Sequence, residues 1–291
     1  MSRDHATEVL RYTAFSDDPD GGNPAGVVLD ATGLADGDMQ AIAADVGYSE
    51  TAFLFPVADA GTQRETGRTF DVRYFSPKAE VTFCGHATIA TAVALAERAG
   101  PGELVLHTRA GTVPVTVTSG PDGRPRATLT SVEPHVEDAP GSVVKEALAA
   151  LGWEPAELDA ALPPRIAYAG ARHLVLAAAT RERLADLAYD FGRLEKLMRQ
   201  EDLTTLQLVW RESADVFHVR DPFPVGGVVE DPATGAAAAA FGAYARELGL
   251  VPEDAVLTLH QGVDMGRPGV LTVELRGGDA RVRVSGTAAR I

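Results

Sequence analysis

A single cysteine, Cys84, stands in 291 residues. A disulfide framework and a cysteine-rich zinc or iron–sulfur site each need at least two thiolates, so both are excluded within the chain, and a reducing compartment is expected. Lysine is almost as scarce. Lys78, Lys145 and Lys196 stand among 26 cations, a bias that reads as genome composition or a salty habitat rather than function. Aromatic residues reach only 6%, too few for a platform that stacks bases. The 26 cations face 41 Asp and Glu, a net charge of −15, so the average surface repels phosphate backbones and anionic lipid. Neither nucleic acid nor a membrane is an expected partner. Nowhere do 18 apolar residues run together, and the opening stretch MSRDHATEVLRY carries acidic residues without an apolar core. Neither a membrane helix nor a signal peptide is therefore expected, and the cytoplasm is the expected location.

What the chain has is core. Hydrophobic residues make up 45% and charged ones 23%, which excludes disorder, and the length is about twice the roughly 150 residues of one domain. Two globular domains are expected. Val9, Tyr12 and Phe15 lead into the turn cluster 17–24, after which 26–29 resumes as a strand, so a hairpin opens the first domain. Helical spacing over 34–46 ends at Gly47, and Glu50 begins a strand that runs to Pro56. A strand over 69–75 and a turn over 76–80 precede a helix from Gly85 to Ala99, closed by Gly100. That helix is apolar nearly all round, the signature of a helix enclosed on every side. Strands over 103–107, 111–117 and 126–131 follow.

The scheme then returns. A strand over 215–220, a Pro/Gly loop over 221–227 and an Ala-rich helix from Gly235 to Leu248, ended by Gly249, look like a second version of the same design. Side by side, Asp71-Val72 falls on Asp215-Val216, and the 17 residues from Cys84 fall on the 17 from Ala233. The turn-rich stretch 118–125 is either the linker or a hairpin tip. Helices over 142–152 and 181–200, a strand over 171–178 and a last strand over 281–284 complete the pattern. The expected domains are 1–118 with 278–291, and 119–277.

Two enclosed helices that start on glycine present two sets of unpaired N–H groups, a receptor for a carboxylate that needs no lysine if the two starts face one another. Glycine at those places is equally explained as the residue that permits a tight strand-to-helix turn. Cys84, Gly85, His86 and Thr88 surround the first start; Glu230, Asp231, Thr234 and Gly235 surround the second. His86 and Asp231 suit the amino and carboxyl groups of a small ligand, or a capping role. Glu50 is followed by Thr51-Ala52-Phe53-Leu54-Phe55, apolar neighbours that help to strip water from a carboxylate. Loss of water raises the pKa of a carboxyl group and lets it take up and return a proton near neutral pH. A solvent-facing carboxylate at a strand edge is the other reading.

Six blocks, in this order, resemble the PhzF-like phenazine-biosynthesis family: Asn23-Pro24-Ala25-Gly26-Val27-Val28; Tyr48-Ser49-Glu50-Thr51-Ala52-Phe53; Arg73-Tyr74-Phe75 with Glu80-Val81; Cys84-Gly85-His86-Ala87-Thr88; Glu230-Asp231-Pro232-Ala233-Thr234-Gly235; and Gln261-Gly262 with Met265-Gly266-Arg267-Pro268. The resemblance spans almost the whole chain. It implies an α+β fold like that of diaminopimelate epimerase and proline racemase: two pseudo-symmetric domains, each a curled, mostly antiparallel sheet around a central helix, with the active site between them. It implies an isomerase without cofactor or metal, acting by proton transfer on a small carboxylated, amino-bearing substrate, with trans-2,3-dihydro-3-hydroxyanthranilate as one candidate, and a homodimer. An amino-acid racemase or epimerase, and a non-catalytic binding protein, are the alternatives.

By that resemblance Glu50 is the general acid/base, His86 and Asp231 position the substrate and assist the proton, and Gly85 and Gly235 offer N–H groups to its carboxylate. Ser49, Thr88, Thr234 and Ala236 join them as substrate-binding positions. Ala236 stands where the phenazine enzyme carries a serine, and Gly269 where the family often has one, which leaves the substrate open. The related epimerases use two cysteines; with one, a two-thiol mechanism cannot run, and Cys84 reads as a small packing residue. Gln261-Gly262 and the turn after it read as loop anchors or substrate contacts.

Overall fold

The computed structural model describes residues 7–57 and 68–291. Residues 1–6, which belong to the opening stretch considered above, lie outside the described residues. In chain order the elements are β1 (Leu10–Ala14), β2 (Asn23–Val28), α1 (Asp36–Val46), β3 (Glu50–Pro56), β4 (Thr69–Phe75), β5 (Glu80–Val81), α2 (Gly85–Ala99), β6 (Gly102–Thr108), β7 (Gly111–Ser119) and β8 (Pro125–Thr130). There follow β9 (His135–Asp138), α3 (Gly141–Leu151), β10 (Arg165–Tyr168), β11 (Arg172–Ala177), α4 (Arg181–Ala185), α5 (Phe191–Gln200), β12 (Thr205–Arg211), β13 (Val216–Pro222), β14 (Glu230–Asp231), α6 (Gly235–Glu247), β15 (Ala255–Gln261), β16 (Gly269–Arg276), β17 (Asp279–Gly286) and β18 (Ala288–Arg290). The chain divides into two compact units, Met1–Leu129 with Ser285–Ile291, and Thr130–Val284.

In the first unit β1 pairs antiparallel with both β2 and β18. The sheet continues through β3, parallel to β2, and β4, antiparallel to β3. β4 then takes β5 antiparallel and β6 parallel, and β7 and β8 extend the edge. The turn-rich stretch after Ser119 is the tip of the β7–β8 hairpin, in which Ser119 pairs with Pro125. The second unit repeats the pairing: β10 antiparallel to β11, β11 parallel to β12, β12 antiparallel to β13, β13 with β14 antiparallel and β15 parallel, then β16 antiparallel to β15. The fold is α+β and mostly antiparallel.

Each sheet wraps a central helix. β1, β2, β3, β7 and β18 all touch α2, and β9, β10, β11 and β16 touch α6. Nine consecutive residues of α2, His86 to Ala94, are buried, as are nine of α6, Ala237 to Ala245. This accounts for the lack of a polar face in either helix. Small side chains let the sheets close tightly. At Gly242 an added Cβ would lie 2.7 Å from Val273 and 2.8 Å from Val282. The outer faces are covered too: Met39 and Ala43 of α1 pack on Val28, Phe53 and Phe75, while α3, α4 and α5 cover Ile166, Leu174, Leu176, Leu206 and Leu208.

Two details differ from the sequence reading. The helix expected over 181–200 is two helices, because Asp190 accepts a hydrogen bond from the N–H of Arg193 and starts α5 afresh, as Thr180 does for α4 through Arg183. The repeat also aligns differently. Each central helix begins on glycine with three residues between it and a two-residue strand, so Gly85 corresponds to Gly235, one residue away from the ungapped match. The cross-strand partners of β4 and β13 make Arg73 the counterpart of Arg220, and Asp71 that of His218 rather than lying near Asp215. The loop from β13 to β14 is longer than that from β4 to β5, and α6 is two residues shorter than α2, which no ungapped alignment accommodates. β9, β10, β12, β15, β16 and β18 were not anticipated, although Pro252-Glu253-Asp254, Gly262, Gly266-Arg267-Pro268 and Gly277-Gly278 bound β15 and β16 in the sequence.

Candidate active site

In the first unit, the end of the Gly47 turn and the start of α2 bring four of the expected residues together. Ser49 and Glu50 enter β3 from α1, whose C-terminus is closed by Gly47 in the left-handed region. Cys84 is the N-cap of α2, and Gly85 and His86 form its first turn. The Cys84 thiol donates to Glu50 Oε2 at 3.5 Å and lies 3.4 Å from His86 Nδ1. His86 Nε2 is 3.4 Å from Glu50 Oε2 and 3.2 Å from Ser49 Oγ. The Glu50 side chain is 19% exposed and that of His86 8%, so the carboxylate is mostly shielded and partly accessible. It does not point into bulk solvent. The Cys84 side chain makes no cap bond to the first turn of α2, so that helix start retains its attraction for an anion.

Thr88 sits underneath. Its hydroxyl donates to the Cys84 carbonyl at 2.7 Å and meets the Tyr74 hydroxyl at 2.6 Å, and the residue is fully buried. Thr88 therefore braces the turn that carries Cys84 and His86. Burial pushes the Tyr74 phenol well above its ordinary range, which keeps it a neutral hydrogen-bonding group.

The second unit builds a corresponding turn with other chemistry. Thr234 is the N-cap of α6 and Gly235 its first residue. The Thr234 hydroxyl donates to Asp231 Oδ2 at 2.6 Å instead of capping the helix. Gln261, almost wholly buried, clamps this turn: its Oε1 accepts from the Thr234 N–H at 2.9 Å, and its Nε2 donates to the Asp231 carbonyl and to Thr234 Oγ1. Gly262 follows with φ +76°, and a Cβ there would lie 2.2 Å from the Arg267 carbonyl, so the loop after β15 closes on the turn only with glycine. Gln261 and Gly262 are thus anchors for Asp231 and Thr234. Ala236, half-buried, presents only a methyl group in the first turn of α6.

Both turns stand on the same support. Arg73 binds Glu80 through two bonds of 2.8 and 2.7 Å, and Arg220 binds Glu230 through two of 2.9 and 2.6 Å. In each unit this fork ties a long strand to the two-residue strand that leads into the central helix.

Sequence reasoning missed a buried polar chain beside the second turn. His173, Thr205, Gln207 and Asp221 lie on β11, β12 and β13, all essentially inaccessible. Thr205 donates to Asp221 Oδ1 at 2.9 Å, so His173 Nδ1, 2.8 Å from the same hydroxyl, acts as donor to it. Burial holds the Asp221 carboxyl well above the usual carboxylate range, with Asp231 and Glu230 adding repulsion. Burial alone pushes the His173 imidazole down to about 3. The imidazole is therefore neutral at pH 7. Their signal in the sequence was a polar residue at alternate strand positions, which reads equally as a solvent-facing edge.

Among the described residues, Glu50, Cys84 and His86 form the one group of His, Cys, Asp or Glu donors placed to hold a metal ion, with donor atoms within 4.8 Å of one another.

Comparison with known proteins gives the chain its relations. An uncharacterized isomerase of Bacillus subtilis, YfhB, is 31% identical over 97% of this chain and 95% of its own length. The trans-2,3-dihydro-3-hydroxyanthranilate isomerase of Pseudomonas aeruginosa is 30% identical over 95% and 94%. The crystal structure of a phenazine biosynthesis protein of the PhzF family from Bacillus anthracis superimposes with a TM-score of 0.85 at 26% identity, covering 98% of this chain and 97% of that one. A probable proline racemase from Agrobacterium radiobacter shares the fold at 12% identity, with a TM-score of 0.64 over 97% and 90% of the two chains. The family model described as phenazine biosynthesis-like protein matches residues 12–291. Shielded carboxylate, helix-start glycines and duplicated fold thus stand in a chain that belongs to the phenazine biosynthesis-like protein family and whose relatives include proteins named isomerases.

Proposed function

We propose that the protein isomerises a small carboxylated, amino-bearing molecule by moving a proton between two of its atoms, without a cofactor, and that Glu50 carries the proton. The observation that supports this best is the Glu50 carboxylate itself: four-fifths shielded, in contact with Cys84 and His86, and beside an uncapped helix start. A carboxyl group shuttles a proton when it is near the reacting atoms and poorly solvated. His86, between Ser49 and Glu50, orients the carboxylate and polarises the substrate, and the start of α2 at Gly85 receives the substrate carboxylate. Asp231, Thr234, Gly235 and Ala236 are assigned to substrate recognition on the resemblance, as is the homodimer. The methyl group of Ala236 favours a substrate other than one requiring a hydroxyl donor there, although trans-2,3-dihydro-3-hydroxyanthranilate is the first compound to assay.

Glu50 and Cys84 are 3.5 Å apart, which leaves no room for a carbon atom between them. They therefore meet a substrate from the same side, and with one cysteine in the chain no second thiol opposes them, which favours a shift along one face of the substrate. Glu50→Gln is expected to reduce kcat at least a hundredfold with little change in KM, in line with general acid/base contributions of about 10²–10⁴. In deuterated water the product is expected to carry label at the new C–H position with its stereocentres intact. Turnover by folded Glu50→Gln at the parent rate, or label with loss of chirality at an α-carbon, refutes the proposal.

A further inference from the structure

We propose that the inner face of the second-unit sheet binds an internal water molecule, held between the Gln207 amide and the Asp221 carboxyl group. Four polar atoms there have no hydrogen-bond partner among the described residues: Oε1 and Nε2 of Gln207, Oδ2 of Asp221 and Nε2 of His173. All three residues are 0% exposed, so bulk solvent does not serve them. Buried polar groups of folded proteins are paired with protein or with ordered water, and an internal water takes two to four polar partners. A carboxyl oxygen accepts from water when ionised and donates to it when protonated, so the bridge does not depend on the charge of Asp221.

The strand register places the two groups side by side. Leu174, Leu176, Leu206 and Leu208 belong to the core under α3, α4 and α5, so by alternation His173, Thr205 and Gln207 face the other way, towards α6. The bond from Thr205 to Asp221 puts Asp221 on that face as well. Gln207 and Asp221 occupy the next position beyond the ladder pair Leu208–Arg220. Neighbours at such a position have Cβ atoms about 4.5–5.5 Å apart, and two groups bridged by one water lie about 4.5–5 Å apart. No protein group takes the place of the water. The buried stretch of α6, Ala237 to Ala245, has one polar side chain, Tyr244, whose hydroxyl donates to the Pro163 carbonyl. Gln261 is committed to Asp231 and Thr234, and the Arg220 fork to Glu230. Asp221 pairs with Asp231 across β13 and β14, so the water braces the turn that carries Asp231. Its importance for substrate rests on the reading of Asp231 as a substrate-binding residue, whereas binding of the water does not.

The test is a crystal structure of the full chain at a resolution that shows ordered water, with urea unfolding of Gln207→Met beside it. A water peak is expected about 2.7–3.2 Å from both the Gln207 amide and Asp221 Oδ2. Absence of that peak, or a direct bond between the two side chains, overturns the site, and this readout needs no variant to fold. Methionine nearly conserves the volume of glutamine and removes the amide. If the amide holds a water, Gln207→Met lowers the urea midpoint, because Asp221 loses its bridged partner. If the amide is dry and unpaired, its removal relieves a buried orphan and raises the midpoint. A midpoint unchanged or raised therefore overturns the proposal too. Parent kinetics in Asp231→Asn, by contrast, end the substrate-binding reading of that turn and leave the water site standing.

Discussion

Acid should unfold this protein partly through one histidine. His173 is inaccessible on β11, its imidazole held at about 3 by burial against an ordinary value of 6.5. Because the folded-state value is the lower one, the unfolded chain binds the extra proton. The contribution of His173 is therefore complete above pH 6.5 and is lost as the pH falls from 6.5 towards 3. At about 1.4 kcal/mol per pH unit, acidification from pH 7.5 removes about 2 kcal/mol by pH 5 and about 3 kcal/mol by pH 4. Asp221 works in the opposite sense. Its folded-state value is raised, so it stabilises at low pH and that contribution fades as the pH rises. His260, also lowered by burial, adds to the acid loss. The comparison that isolates His173 is the slope of unfolding free energy against pH for the parent and for His173→Gln, each from urea titrations at pH 7.5, 6, 5 and 4. The variant is expected to be less stable at pH 7.5, since the bond to Thr205 is disturbed, but its curve should be flatter by about 2 kcal/mol between pH 7.5 and 5. Parallel curves would refute the claim that this imidazole stays neutral in the folded protein.

Three further substitutions probe the supports of the site. Arg220→Met leaves the buried Glu230 carboxylate without its forked partner, and a loss of about 3–5 kcal/mol is expected in urea unfolding; less than 1 kcal/mol would show that the pair is easily replaced. Gly242→Ala drives a methyl group against Val273, Val282 and Leu275, so thermal unfolding should reveal about 1–3 kcal/mol of destabilisation, against the usual gain from replacing glycine inside a helix. Gln261→Ala removes three hydrogen bonds that hold Asp231 and Thr234. With each bond contributing about 1 kcal/mol, a fall of about 2–3 kcal/mol in stability is expected, with a higher KM as well.

Much of the fold was legible because the duplication writes the same pattern twice. A helix with no polar face must be enclosed, and two such helices after similar strands announce two similar units. The alignment of the copies was not legible, because loop lengths differ where the strands do not, and only cross-strand pairing shows that Arg73 corresponds to Arg220. Asp190, by contrast, is a helix-start residue visible in the sequence, and it broke a helix that apolar spacing alone had joined.

For the site, glycine-led helix starts drew attention to Cys84, His86, Asp231 and Thr234 as local features of the chain, whereas Glu50 stands at a strand start and its role was read from the resemblance of its block to the family. The sequence by itself determined the enclosed helices, the glycine-led turns and the family, all of which depend on residues close together in the chain or on the order of short motifs. Only the tertiary structure decided that Thr88 braces the turn from below, that Cys84 touches Glu50, that Gln261 clamps Asp231, and that His173, Thr205 and Asp221 join out of reach of bulk solvent. The physical reason is that burial and hydrogen bonding across strands are set by which residues meet through folding, and a polar residue at alternate strand positions has the same spacing whether it faces solvent or a closed core.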